Sequence, residues 1–341
     1  VSACLLLAPA ALYKVHSMDG GWWPIGRWGV ALVLASYIGV SGLKKNSLNK
    51  SGAIAGFVVG LISLGLSLRL GLIVIIFYKS SSLLTKVGLD KKAMLTDDYK
   101  VGGQRGAVQV LSCSLFATVL ALVHRFLVGV GDSLVDFESQ PLGGALLCAY
   151  LGFYSCCAGD TWSCSECRQH AQKWLLGVGC CLHDPTNPIN RSSEIGVLSK
   201  NPPRLITNLS KPVPRGTNGG MSPEGTAASV AAGIAMGIAF VFLGWLFGAA
   251  PPPGPDSSSS ASNVGHASQA PLILLGALSG LLGSMLDSFL GAVFQASYFN
   301  TNLKVIVEKP TARMRKRDDY MLVCGLDILS NEQVNVLSVR G

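Results

Sequence analysis

Apolar runs dominate this chain, and their lengths set its architecture. Stretches poor in charge extend from Arg27 to Leu43, Gly52 to Tyr78, Gly106 to Val123, Pro141 to Ala158, Thr226 to Ala250 and Pro271 to Phe299, and a shorter one, Val1 to Leu12, opens the sequence. A hydrocarbon core about 30 Å thick takes roughly 17–25 helical residues, so each of the longer runs is a candidate span. The pattern predicts an all-α fold, a polytopic transmembrane helical bundle that forms a single integral membrane domain over residues 1–341 with about six to eight apolar segments. Val1 to Leu12 reads either as a trimmed span or as the remainder of a signal peptide. Gly52, Gly56 and Gly60 share one helical face, as do Gly276 and Gly280, which permits close helix approach in lipid.

The run from Gly52 to Tyr78 reads either as a single tilted span or as a hairpin, and LISLGLSLR from Leu61 to Arg69 interrupts it with serines, a glycine and an arginine. Charge decides between one tilted span and two shorter segments. Of the 27 Lys and Arg, 23 fall in four segments: Lys44 to Lys50, Lys79 to Arg105, Arg168 to Arg215, and Lys304 to the end. The other connections are acidic at Asp132, Asp136 and Glu138, or rich in proline and serine from Pro251 to Ser260, and carry no Lys or Arg. The positive-inside rule puts the four basic segments on the cytoplasmic side, so Gly52 to Tyr78, basic on both flanks, has to turn back as a hairpin with its break near Ser63 to Arg69.

Composition agrees: hydrophobic residues make up 49% of the 341 and charged residues 13%, with a mean hydropathy of +0.44. That excludes an ordinary soluble domain, and nothing in the chain points to nucleic acid. The expected location is an integral, multi-pass position in an endomembrane rather than the plasma membrane. Ten cysteines raise the question of metal or disulfides. Cys113, Cys148, Cys156 and Cys157 lie in or beside spans, where cysteine acts as a small hydrophobe. Cys164, Cys167, Cys180, Cys181 and His183 offer enough ligands for zinc, but the second half lacks a clean CxxC or HxxxH.

The long loop over 159–225, read as cytoplasmic, carries GDTW at Gly159 to Trp162 and VPRGTNGGMSPEG at Val213 to Gly225. Glycine lets backbone N–H groups converge on phosphate oxygens, Lys211 and Arg215 supply positive charge, and Asp160 can hold a divalent cation. A helix end followed by a turn is the plainer reading. Asp287 lies inside the apolar run GLLGSMLDSFLGAVF, where an ionisable group costs roughly 2.5–3.5 kcal/mol unless it faces a partner or a polar cavity. It reads either as a second acidic anchor, flanking a Mg²⁺ site with Asp160, or as the partner of a cation such as Lys79 or Arg105.

Several blocks together resemble a known family. KKNSLNKSGAIAGFVVG (Lys44 to Gly60), FYKSSSLLTKVG (Phe77 to Gly88), GGQRGAVQVL (Gly102 to Leu111), GDTW, SEIGVLSKNPPRLIT (Ser193 to Thr207), VPRGTNGG and GSMLDSFLGAVFQ (Gly283 to Gln295) are similar to the transmembrane protein 19 family, in register from about Trp28 to Leu337. That family resembles plant phytyl phosphate kinase, and more remotely cytidylyltransferases and polyprenol kinases. Two departures stand out. The family pattern runs from GDTW almost directly into a Ser-Glu pair, whereas here about 164–192 reads as an insert before Ser193-Glu194 resumes the match. The family also continues past the block Asn331 to Ser338 into a further apolar span, which this sequence, ending at Gly341, does not show; either an incomplete chain or an end different from the family's is expected.

The resemblance implies phosphoryl transfer from a nucleoside triphosphate, CTP-like, to an isoprenyl phosphate in the membrane. Asp160, Glu194 and Asp287 would form the catalytic set, with Mg²⁺ on Asp160 and Asp287 and Glu194 orienting the metal shell. Lys211, Arg215, Gly216, Thr217, Asn218, Gly219 and Gly220 would cradle the nucleotide phosphates. Lys79, Ser80, Ser81, Ser82, Thr85 and Lys86 would hold the acceptor phosphate, a solvated face against lipid head groups being the alternative for that cluster. The competing function is a non-enzymatic membrane protein that binds or moves an anionic lipid, although the spans carry no row of charges like a transporter's ion path. Substrate, nucleotide and oligomeric state are not written in these residues.

The charge distribution predicts a sidedness: Lys45, Lys92, Lys200 and Lys316 share one face of the membrane and Ser258 lies on the other. Single cysteines at these positions on a cysteine-depleted background, labelled with an impermeant maleimide, check it. Labelling of positions 92 and 258 from the same side contradicts the hairpin.

Overall fold

The computed structural model of the chain describes residues 23–86, 105–129, 132, 134–138, 140–163, 202–214, 217–247, 269–302, 305–307, 319–326 and 328. Helices α1 (Trp23–Lys44), α2 (Lys50–Leu66), α3 (Leu68–Lys86), α4 (Ala107–Ser112), α5 (Leu115–Leu127) and α6 (Pro141–Ser163) precede strands β1 (Arg204–Leu205), β2 (Asn208–Pro212) and β3 (Gly220–Met221). Helices α7 (Pro223–Phe247) and α8 (Ala270–Phe294) follow, then β4 (Ser297–Asn300), β5 (Val305–Val307) and β6 (Tyr320–Cys324). The architecture is that of an all-α polytopic membrane protein: among the described residues, Ile25–Lys44, α6, α7 and α8 are long and apolar enough to cross a membrane, while α2 and α5 are shorter apolar helices. Two small antiparallel sheets, in the orders β2-β1-β3 and β5-β4-β6, are additions that the apolar pattern does not announce.

The chain divides into two compact units, residues 1–78, 105–154 and 234–276 in the first, residues 79–104, 155–233 and 277–341 in the second. In the first, α1 and α2 run antiparallel along their glycines. A methyl group at Gly60 would lie 3.6 Å from Ala35 Cβ, one at Gly39 would lie 3.6 Å from the Ala53 carbonyl, and Gly65 abuts the Trp28 ring. Gly60 thus does what its spacing suggests, bringing two backbones together where lipid offers no hydrophobic drive for association.

The ends of this unit are joined by polar contacts. At one end, the Asn49 N–H donates to the Arg105 carbonyl at 3.1 Å and the Arg105 N–H to the Ser47 carbonyl at 3.1 Å, while the Asn49 side chain caps α2 through Gly52 N–H at 2.8 Å. α2 runs away from that end to Leu66. Ser67 then adopts extended dihedrals, φ −159° and ψ 129°, and breaks the helix inside the stretch read as interrupted. α3 returns, bringing the Tyr78 hydroxyl to 2.8 Å from Ser47 Oγ. The chain therefore reverses between Lys50 and Tyr78, as a hairpin requires.

Asp132 holds the reversal at the other end. Its Oδ1 accepts from Ser67 Oγ at 2.6 Å and from the Arg69 N–H at 3.0 Å, and Ser67 Oγ in turn accepts from the Leu70 N–H at 3.1 Å. A serine cap backed by a carboxylate thus satisfies the orphan donors at the start of α3. The Gln269 amide donates to the Val135 carbonyl at 2.9 Å, attaching the residue before α8 to the same acidic connection. Arg27, Arg69 and Arg125, three of the few cations outside the basic segments, are buried. Arg69 is held by a 3.1 Å bond from Nε to the Phe240 carbonyl and by the Phe240 ring 3.7 Å beneath its guanidinium.

Asp132→Ala removes the acceptor shared by Ser67 and the Arg69 N–H and should destabilise the fold by about 1–3 kcal/mol. Thermal unfolding in detergent measures it. Ser67→Ala on top of Asp132→Ala should add little, since both changes disable one cap, and fully additive losses would separate the two residues.

Candidate functional site

The second unit gathers three motifs that are far apart in sequence. Gly280, Ser284, Asp287, Gly291 and Gln295 follow one another at intervals of three or four residues, so they form one stripe along α8. Leu278, Leu282, Met285 and Phe289, on the opposite side, are exposed. One face of the helix is built for lipid and the other for contact with protein.

The contacts along the stripe run in order. A methyl group at Gly280 would lie 2.6 Å from the Ser229 carbonyl and 3.1 Å from Gly233 Cα of α7. Gly159 of α6 abuts the Gly280 backbone, its own missing methyl falling 2.8 Å from Gly280 Cα, and a methyl at Gly283 would lie 2.7 Å from Cys156 Cβ. Ser284 Oγ donates to Ser163 Oγ at 2.8 Å, and Ser163 Oγ to the Asp160 carbonyl at 2.9 Å. Farther along, a methyl at Gly291 would lie 3.5 Å from Asn218 Cβ and 3.5 Å from Gly219 N. Asp287 therefore stands on the stripe between the contact with the GDTW helix and the contact with the glycine-dense loop.

Asp160 belongs to the α6 face that makes those contacts, since Cys156, Gly159, Asp160 and Ser163 are three or four residues apart. Both aspartates thus lie on the helix faces that meet. Both are half-buried, and Asp287 Oδ1 is closed off from solvent. Carboxylates and hydroxyls are hard oxygen donors suited to Mg²⁺. Among the described residues no group of three or more His, Cys, Asp or Glu gathers. Cys113, Cys148, Cys156 and Cys157 lie in or beside helices and are not joined in disulfides among the described residues. Glu194, Arg215 and Gly216, the zinc candidates from Cys164 to His183, and most of the insert-bearing loop lie outside the described residues.

The loop from Val213 to Gly220 is shaped by the first sheet. β1 pairs with β3, Arg204 opposite Met221 and Leu205 opposite Gly220, and the Ile206 N–H donates to the Gly219 carbonyl at 2.9 Å. Leu205, Val213, Ala292, Ile306, Val323 and Cys324 form a small apolar core that joins this sheet to the second sheet and to the end of α8. Asn218 is pinned on both sides: its N–H donates to Ser297 Oγ at 3.1 Å, and its carbonyl accepts from the Cys324 thiol at 3.3 Å. Burial pushes that thiol above its ordinary range, against the opposing influence of Ser297 and the Lys211 charge, so it stays protonated and donates. Gly219 has φ +77°, and a methyl there would lie 2.7 Å from the Ser288 carbonyl.

The expected cradle of N–H groups is narrower than the glycine count suggests. The Thr217 N–H goes to the Pro214 carbonyl at 3.3 Å and the Gly220 N–H to the Thr217 carbonyl at 3.0 Å, with the Thr217 hydroxyl also on Pro214 at 2.7 Å. With Asn218 N–H on Ser297, the Gly219 N–H is the one of these not used in a hydrogen bond among the described residues. Lys211, exposed on β2, directs Nζ to the Val323 carbonyl at 3.1 Å. Lys79 and Ser80 are half-buried and Ser81 and Ser82 buried in the last turns of α3, with Lys86 ending that helix. Burial of the two serines departs from a uniformly solvated face.

Sequence reasoning missed Ser163, Ser284, Ser297 and Cys324. Ser284 carries a legible signal, lying three residues before Asp287 on the same face. Ser297 and Cys324 matter only through strand pairing, which links Ser297 to Cys324 directly.

Comparison with known proteins places these motifs in a family. The sequence profile described as integral membrane protein DUF92 matches residues 33–172 and 190–340, and the unmatched stretch 173–189 falls within the segment read as an insert. Protein PGR of Arabidopsis thaliana is 38% identical over 309 residues, 91% of either chain. An uncharacterized membrane protein of Synechocystis sp. is 28% identical over 167 residues, 49% of either chain. No solved structure matches.

Gly219→Ala should cost at least about 1 kcal/mol, because left-handed backbone disfavours a side chain and the new methyl would meet Ala292 and the Ser288 carbonyl. Gly26→Ala, where a methyl meets nothing within 4 Å, is the control and should leave the melting temperature level or raised. Equal melting temperatures for both variants would show that the loop is not seated on α8 as described.

Proposed function

We propose that this chain, which belongs to the integral membrane protein DUF92 family, transfers a phosphoryl group from a nucleoside triphosphate to an isoprenyl phosphate within the membrane. One observation carries the reading: Asp287 lies on the α8 stripe between the contact with the Asp160 helix and the contact with the loop Asn218–Gly219. Two carboxylates on meeting faces beside a glycine-shaped loop suit a metal-bound phosphate. The resemblance to the transmembrane protein 19 family and to phytyl phosphate kinase supplies the substrate class.

In this reading Asp160 and Asp287 would hold Mg²⁺, which when bound would supply charge neutralisation at the transferring phosphate. Asn218 and Gly219, fixed against α8, orient the nucleotide phosphates. Lys211, Arg215, Gly216, Thr217, Gly220 and Glu194 keep the roles that the resemblance implies. Lys79, Ser80, Ser81, Ser82 and Lys86, in the same compact unit as the two aspartates, would receive the acceptor phosphate. An oxygen of that phosphate attacks the terminal phosphorus, and the bond to the leaving nucleoside diphosphate breaks. Little covalent chemistry falls to the protein, whose work is positioning and charge.

Asp160→Asn and Asp287→Asn each keep size and remove one charge, so turnover of nucleotide with isoprenyl phosphate in detergent should fall at least tenfold, about 1.4 kcal/mol. The double variant should be little worse than either single one. Wild-type protein that binds prenyl phosphate with no nucleotide consumption points instead to lipid binding or movement. Unchanged turnover in Asp287→Asn removes that residue from the site.

A further inference from the structure

We propose that Leu326 and Ile328 form a lipid anchor, their side chains seated at the head-group boundary of the leaflet that the C-terminal end of α8 reaches. The proposal does not rest on the phosphate reading. Both side chains are largely exposed, 59% for Leu326 and 61% for Ile328, and Met321 and Leu322 on the strand just before them are exposed as well. Single exposed apolar residues are ordinary on a protein surface. Four within the eight residues from Met321 to Ile328 mark a face that meets something apolar.

Backbone contacts fix where that face lies. Gly325, at φ +79°, turns the chain against the end of α8, where any side chain would meet the Gln295 carbonyl. Beyond the turn, the Leu326 N–H donates to the Val293 carbonyl at 2.9 Å and the Ile328 N–H to the Phe294 carbonyl at 3.2 Å. Carbonyls in the last turn of a helix have no acceptor role within it, so these two bonds fasten the segment to the end of the span. α8 has 25 residues, about 37 Å at roughly 1.5 Å each, against a hydrocarbon core of about 30 Å and about 40–45 Å with head groups. A span of that length ends among the head groups. Val293 also continues, at helical spacing, the exposed row Leu278, Leu282, Met285 and Phe289, so the bond to Leu326 lies under the side of α8 built for lipid. That continuity favours the bilayer over a protein partner as the occupant. Tyr298, half-buried and paired with Leu322 across the sheet, is of the ring type enriched at this depth.

The anchor also bears on the glycine-dense loop. Cys324, two residues before Leu326, donates its thiol to the Asn218 carbonyl at 3.3 Å, so the depth of Leu326 in the leaflet sets how far Asn218 and Gly219 stand from the head groups.

Leu326→Cys, Ile328→Cys and, as the control, Asn302→Cys each carry an environment-sensitive fluorophore on a cysteine-depleted background in phosphatidylcholine nanodiscs. Asn302 is exposed in the turn after β4, at the other end of that strand from α8. All three side chains are exposed, so the substitutions leave the core intact, and thermal unfolding in detergent should match that of the parent. Nitroxide carried on the lipid near its head group should quench the probes at 326 and 328 strongly and the probe at 302 weakly, while iodide in the water should do the reverse. Iodide quenching at 326 and 328 equal to that at 302, with none from the lipid nitroxide, overturns the proposal by putting the segment in water. Protection from both quenchers overturns it too, because a second copy or another part of the chain would then cover the face.

Discussion

The backbone contact between Gly159 and Gly280 is the constraint from which the second unit follows. Helices in lipid gain nothing by burying leucine against leucine, so they associate where backbones can approach and polar groups can meet. A side chain at Gly159 would run into the Gly280 main chain of α8, and one at Gly280 into the main chain of α7 at Ser229 and Gly233. With none there, Ser284 reaches Ser163 and the GDTW helix is locked to α8 beside its carboxylate. The same economy repeats at Gly219 and Gly291, where the loop lies directly on α8. Glycine in this chain sets distances more than it grants flexibility.

The first unit solves a different problem. Reversing a chain in or near hydrocarbon leaves backbone donors exposed, and here Ser67 and Asp132 take them up. Asp132 serves two donors with one oxygen and so ties the α2–α3 turn to the acidic connection before α6. Arg69, next to the turn, keeps its charge in a nearly dry setting by lying on the Phe240 ring and bonding to that residue's carbonyl. A buried cation in this position is tolerable because a π face and a carbonyl replace the water it loses.

Much of this was legible in the residues. Serine, glycine and arginine inside an apolar run mark the break that falls at Ser67, and the distribution of Lys and Arg asks for the reversal the helices make. Asp287 could be singled out because an ionisable group in a span has to face something polar. What it faces depends on helix phase and crossing, which sequence spacing constrains only along one helix at a time. The first sheet escaped because β1 and β3 have two residues each, too short for any alternation to show. The narrowing of the phosphate cradle escaped for a related reason: a count of glycines gives the number of N–H groups but not which of them the loop consumes internally.

Gln295 illustrates the deepest of these limits. Its position at the end of an apolar span looks like an ordinary polar boundary, whereas its side chain is buried at the end of the stripe of Gly280, Ser284, Asp287, Gly291 and Gln295. That stripe lies opposite the exposed leucines and phenylalanine of α8, so the helix is two-faced in a sense that hydropathy averaging conceals. Glycine and serine are nearly neutral on such scales, and a single carboxylate is diluted by its neighbours. In water an amphipathic helix hides its apolar side; here the apolar side faces lipid and the small and polar side is hidden. Polar groups in such a helix therefore collect on the face that packs, in one line with the glycines that permit close packing. Any change that loosens the Gly159–Gly280 contact should disturb Asp287 before it disturbs the span, because the carboxylate, unlike the leucines, has a place only where the neighbouring helix and loop supply one.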